Sequence, residues 1–92
     1  MKMRRVHVWI TGRVQGVFFR SYTLEAAQQI GVGGWVRNTR DGRVEAVIEG
    51  EADKVEMMME WCNEGSPMSR VDRVEVTEEV YMGEFDVFEI TR

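Results

Sequence analysis

An α+β sandwich, with two helices packed on one face of a mostly antiparallel sheet, is predicted by three observations. The apolar periodicity switches between two and about 3.6 along the chain. The resulting order is strand, helix, strand, strand, helix, strand, with one extra strand at the C-terminus. Each helical segment carries a single apolar stripe, so both helices must bury it against the same sheet. The chain has 92 residues, 43% hydrophobic and 30% charged, which suits one domain over 1–92 with one core. A chain of this length buries roughly 60–68% of its unfolded surface, enough for that core alone.

The elements follow in order. Arg5-Val6-His7-Val8-Trp9-Ile10-Thr11 alternates strictly, with Val6, Val8 and Ile10 on one face of a half-buried strand. Gly12 and Gly16 interrupt it. From Phe19 to Ile30 the period becomes helical, with Phe19, Thr23, Ala26, Ala27 and Ile30 on one stripe, and Gly31 stops the helix as a left-handed cap. Gly33 and Gly34 lead into a strand over Trp35–Thr39. Asp41-Gly42 is a hairpin turn signal, and the returning strand spans Arg43–Glu49, with Val44, Ala46 and Ile48 inward and Glu45 and Glu49 outward. A second helix covers Ala52–Glu64 and buries Val55, Met58, Met59 and Cys62, until Gly65-Ser66-Pro67 terminates it. The last strands are Arg73–Thr77 and Phe85–Ile90. This is the split βαβ, ferredoxin-like arrangement, which by itself does not set a function.

Composition excludes several function classes. No apolar run approaches the ~20 residues of a membrane span. Basic Lys2, Arg4 and Arg5 have no apolar stretch behind them, so no signal peptide is expected. Cys62 is the single cysteine and His7 the single histidine, which leaves neither an internal disulfide nor a structural zinc set. The cytoplasm is the expected compartment. The net charge of −4 conceals a division. Residues 1–43 hold eight Lys/Arg against two acids (+6), and residues 44–92 hold four against fourteen (−10). Seven of the eight first-half cations are arginine, suited to forked contact with oxyanions, so an anionic partner is expected there.

The chemistry is concentrated in Gly12-Arg13-Val14-Gln15-Gly16-Val17-Phe18-Phe19-Arg20, between the first strand and the first helix. A helix start offers main-chain N–H groups without internal partners and the positive end of the dipole. A glycine-bearing loop wrapped onto that end can turn several N–H groups into one anion-binding nest. A cation at Arg20 in the first turn opposes the dipole by roughly 0.3–1 kcal/mol, and a bound anion removes that conflict. Asn38, at the end of the second strand, either bonds local backbone beside the turn or holds a water or substrate oxygen. His7, Cys62, Met57-Met58-Met59 and the tryptophans Trp9, Trp35 and Trp61 read as packing, with one methionine exposed; Asp72 and Arg73 are placed to pair.

The sequence has no Ser-His-Asp set, no Cys-His pair and no carboxylate pair at a candidate site. An enzyme built this way must do without a covalent nucleophile or a strong base. Transfer of a phosphoryl group from an acyl phosphate to water fits, because the leaving carboxylate belongs to an acid of pKa ~4 and departs unprotonated.

At these residues the sequence resembles the acylphosphatase family, and the likeness extends over essentially the whole chain. Gly12-Arg13-Val14-Gln15-Gly16-Val17 with Phe19-Arg20 matches a first signature, and Gly34-Trp35-Val36-Arg37-Asn38 with Asp41-Gly42-Arg43-Val44-Glu45 a second. Gly65-Ser66-Pro67 with Arg70-Val71-Asp72-Arg73-Val74, and terminal Phe88-Glu89-Ile90, resemble the remaining blocks. The resemblance implies hydrolysis of a carboxyl–phosphate anhydride to a carboxylate and inorganic phosphate. It gives Arg20 the phosphate-binding role and Asn38 the orienting of the attacking water. The amides of Gln15, Gly16, Val17, Phe18 and Phe19 become the cradle. It implies no metal and no organic cofactor. A monomer acting on a small-molecule acyl phosphate, with no nucleic acid or membrane partner, is expected. Phe18 departs from the pattern, since many relatives have glycine there, and it narrows the cradle's rim. The stretch Val32 to Gly34 is unusually rich in glycine.

Two other functions share the strand order. An RNA-binding domain would present aromatics on its central strands, but Arg43–Glu49 carries acids and no aromatic, and acids repel phosphate. A module that binds an anion without turning it over would use the same residues as the enzyme.

Overall fold

The computed structural model describes residues 2–92. Seven elements follow in order: β1 (Met3–Arg13), α1 (Phe19–Ile30), β2 (Gly33–Asn38), β3 (Val44–Glu51), α2 (Ala52–Glu64), β4 (Arg70–Glu79) and β5 (Phe88–Ile90). The sheet order is β4-β1-β3-β2-β5, with β1 antiparallel to β3 and β4, β2 antiparallel to β3, and β5 parallel to β2. The predicted sandwich is therefore the one observed. Among the described residues no helix is long and apolar enough to cross a membrane.

One face of the sheet carries the core. Val6, Val8 and Ile10 of β1, Val36 of β2 and Val44, Ala46 and Ile48 of β3 are fully buried. The helices contribute Phe19, Thr23, Ala26 and Ala27 from α1 and Val55, Met58, Met59 and Cys62 from α2. Each large apolar side chain so buried adds roughly 1.5–3 kcal/mol. Helix α1 ends where Gly31 adopts φ 94°, ψ 46° and its N–H donates to Ala27 O at 2.8 Å. Ile30, expected on the buried stripe, is half-buried at that end.

The opposite face is a network of ions. Cross-strand register sets Arg5 beside Glu49 and Glu79, and Arg37 beside Glu45, so opposite charges meet. Glu45 and Glu49 do point away from the helices, as expected, yet both are buried, at 7% and 3% exposure. Burial alone would push the Glu45 carboxyl up. Hydrogen bonds from His7 (2.6 Å) and Arg37 (2.7 Å) outweigh it and hold the group below the usual carboxylate range. His7 stacks on Trp9 at 4.0 Å. Much of the charge division is thus spent inside the molecule: Arg4, Arg5 and Arg37 all pair with glutamates of the acidic half.

Several sequence expectations need correction. β5 begins at Phe88 rather than Phe85, because the main-chain N–H groups of Met82, Gly83, Glu84 and Phe85 turn onto the Glu49 carboxylate instead of a neighbouring strand. Gly33 and Gly34 lie within β2, and at Gly34 (φ 141°) a Cβ would collide with the Val47 carbonyl. β1 and β4 run longer than the alternation indicated. Asp72 pairs with Arg70 at 2.9 Å, and Arg73 lies 3.5 Å from Glu75; residues two apart share a side of a strand, whereas neighbours such as 72 and 73 point to opposite sides.

Candidate active site

The segment 14–18 leaves β1 and folds over the start of α1. Two of its residues have positive φ, Gly16 at 73° and Phe18 at 60°, while Gln15, Val17 and Phe19 do not. Alternation of this kind turns successive N–H groups toward one side, the geometry of a nest. A Cβ on Gly16 would meet nothing within 4 Å, so its glycine serves the left-handed backbone and an open concavity. None of the N–H groups of residues 15–20 donates to an acceptor among the described residues. Phe18 is the N-cap of α1 and supplies no side-chain cap, and the first turn contains no acid. The positive end of the helix is left for something else.

Core packing and side-chain hydrogen bonds fix the loop. Val14 and Val17 are buried in the core, and Phe19 packs edge-on against Trp61 with ring centroids 5.4 Å apart. Ser66, buried beyond the end of α2, donates from Oγ to Val17 O at 3.1 Å. The Gln15 side chain reaches the β2–β3 turn, where Nε2 donates to Thr39 O at 2.8 Å and Arg43 O at 2.9 Å. Gln15 therefore ties the loop to the turn that follows Asn38.

Arg20, Asn38 and Gly16 line one cavity of about 320 Å³, together with Ser21, Phe18 and Ile90. Arg20 makes no ion pair among the described residues, in contrast to Arg4, Arg5, Arg37 and Arg43. Asn38 Oδ1 is the one buried side-chain polar atom without a hydrogen-bond partner among those residues. Leaving such an atom unpaired costs about 1–3 kcal/mol, and the left-handed Phe18 adds roughly 1–2 kcal/mol. Both sit at the cavity, where strain and unpaired polar groups accompany function. The local-backbone alternative for Asn38 therefore finds no support at Oδ1.

The structure brings Arg20, Asn38, Gly16, Phe18 and Phe19 to one cavity; Gln15 and Val17 do not line it, the Gln15 side chain turning to the β2–β3 turn and Val17 lying in the core. Sequence reasoning had not included Ser66, Ser21 or Ile90. Ile90 belongs to the short parallel strand β5, whose register (Val36 opposite Ile90) no local pattern announces. In the sequence Ser66 belongs to a helix stop and to a block of the family resemblance, and neither points to its bond to the loop. Among the described residues no group of three or more His, Cys, Asp or Glu side chains is arranged to hold a metal ion.

Comparison with known proteins agrees with this geometry. A family model described as acylphosphatase matches residues 6–90. An acylphosphatase of Syntrophobacter fumaroxidans is 68% identical over 91 residues, 99% of this chain and 94% of that protein. One from Pyrobaculum aerophilum is 53% identical over 91 residues, 98% of this chain and 96% of that protein. The crystal structure of the acylphosphatase from Bacillus subtilis superposes with a TM-score of 0.93 at 34% identity, covering 99% of this chain and 100% of that one. On sequence, structure and family match alike, the chain belongs to the acylphosphatase family.

Proposed function

We propose that hydrolysis of acyl phosphates, the reaction of the family to which the chain belongs, proceeds here by direct attack of water on a phosphoryl group held by Arg20 and the amides of Gln15, Gly16, Val17, Phe18 and Phe19. The observation that carries this reading is the meeting, in one cavity, of an unpaired arginine, free loop N–H groups and the orphaned Asn38 Oδ1. Donors fixed before the substrate arrives stabilise charge on the three non-bridging oxygens without reorganising. Asn38 Oδ1 accepts a proton of the water in a hydrogen bond, which turns an oxygen lone pair toward phosphorus. The new P–O bond forms as the anhydride P–O bond breaks, and its electron pair leaves with the carboxylate. That group needs no acid, since its pKa is ~4. The cavity lining includes neither carboxylate nor imidazole, so the water proton passes to a phosphoryl oxygen.

The same reading makes the chain a cytoplasmic monomer with a small-molecule substrate, in keeping with its buried, unpaired Cys62. Two substitutions test the division of labour, with turnover measured on an acyl phosphate and phosphate affinity measured separately by equilibrium titration of inorganic phosphate. Arg20→Gln is expected to lose both phosphate affinity and turnover. Asn38→Ala is expected to keep phosphate affinity and lose turnover. Equal phosphate affinity of wild type and Arg20→Gln would remove Arg20 from the cradle.

A further inference from the structure

The proposed cradle accounts for the phosphoryl half of the substrate and leaves the acyl half without a partner. The cavity, at about 320 Å³, has room for more than a phosphoryl group. Its apolar lining is Val14, Phe18, Phe19 and Ile90. Val14 and Phe19 are buried in the core, at 1% and 2% exposure, and offer an acyl group almost no surface. Phe18 is 72% exposed and Ile90 40% exposed. The apolar surface that a bound acyl group can cover is therefore supplied by these two side chains.

Phe18 is otherwise unexplained by the fold. Its ring is mostly in solvent and contributes little burial. Its backbone, at φ 60° and ψ 25°, occupies the left-handed region, where glycine would serve the nest with less strain. A large aromatic side chain kept exposed at a strained position, beside the atoms that hold the reacting group, points to a use at that place. Ile90 faces the same cavity from the far edge of the sheet, carried there by β5 against β2.

We infer that Phe18 and Ile90 form the contact for the acyl group and determine specificity, favouring acyl phosphates whose acyl group is apolar, above all aromatic. The inference rests on the proposed cradle. It adds that the ring of Phe18 covers one face of the acyl group while the loop amides hold the phosphoryl end. An aromatic pair of this kind is worth roughly twofold to tenfold in binding.

The test is the ratio of kcat/KM for benzoyl phosphate to that for acetyl phosphate. Any distortion of the cradle scales both substrates together and cancels in the ratio. Phe18→Ala and Phe18→Gly are expected to lower the ratio about fivefold, the glycine variant also relaxing the backbone and so guarding against loss of folding. Phe18→Tyr is expected to keep the ratio within a factor of about two, since the ring face is retained. Ile90→Ala is expected to lower it about twofold, as the loss of part of one apolar wall. A ratio unchanged in both Phe18→Ala and Phe18→Gly overturns the inference. Failure of the underlying cradle reads differently: inorganic phosphate would not inhibit the wild type, and Arg20→Gln would hydrolyse both substrates as the wild type does.

Discussion

Replacing Glu49 by glutamine probes the least expected feature of the fold. One carboxylate oxygen accepts from Met82 N (2.9 Å), Gly83 N (3.1 Å) and Arg5 (3.4 Å), and the other from Glu84 N (2.8 Å) and Phe85 N (3.4 Å). This single group anchors the crossover from β4 to β5, and β5 carries Ile90 to the cavity. Glutamine keeps one acceptor oxygen and turns an NH₂ toward at least two of the main-chain donors. Two hydrogen bonds to a charged acceptor are lost, at about 1.5–3 kcal/mol each, for a cost of about 3–6 kcal/mol. In a chain of this size that lowers Tm by roughly 12–48 °C. Thermal unfolding followed by far-UV circular dichroism at pH 7 is the assay. The pH dependence has a defined sign. Burial pushes the Glu49 carboxyl up, but the main-chain N–H groups of Met82, Glu84 and Phe85 and the Arg5 guanidinium outweigh it and hold the group below its ordinary value. Its stabilisation is complete above the unfolded-state value of about 4.3 and disappears as pH falls through the lower folded value. The gap between wild type and Glu49→Gln should be full at pH 6–7 and close in the acid range below pH ~4. Melting temperatures within about 3 °C of each other at pH 7 would refute the assignment of Glu49 as the anchor.

Three further outcomes follow from the packing. Gln15→Ala should cut kcat about 10- to 100-fold, more than it weakens phosphate inhibition, because the lost bonds to Thr39 O and Arg43 O fix the turn behind Asn38; steady-state kinetics with and without phosphate separate the two. Gly34→Ala should destabilise by about 3 kcal/mol or more, since its Cβ would drive β2 from the Val47 carbonyl at a left-handed φ, and urea titration measures it. The Cys62 thiol, pushed up to about 12 by complete burial, should resist a disulfide reagent at pH 8 in the native protein and react fully in denaturant.

How much was legible in the sequence varies by element. Helix α1 was readable to the residue because its signals are local: an apolar stripe from Phe19 and a left-handed stop at Gly31. β5 was not, because the partner that shapes residues 82–85 is Glu49, more than thirty positions away and indistinguishable in sequence from a solvated acid. The site divides in the same way. Arg20 stood out because a cation opposes the helix dipole where no acid offsets it. Asn38 could be weighed against local turn bonding only with the family resemblance, and the burial of its unpaired Oδ1 is visible only in three dimensions. Ser66 and Ile90 gave no local signal, since each acts through a contact made by distant chain segments. The charge counts do not say where the acids of the second half lie, yet Glu45, Glu49, Glu79 and Glu84 pair with Arg5, His7 and Arg37 of the basic half.

The most direct test of the catalytic account is the loss of benzoyl phosphate absorbance in EDTA, with wild type beside Asn38→Ala. The account predicts rapid hydrolysis by wild type and a rate about 10²- to 10³-fold lower for Asn38→Ala, with both proteins folded. Hydrolysis by Asn38→Ala at the wild-type rate, or no hydrolysis by folded wild type above the spontaneous rate, would contradict it.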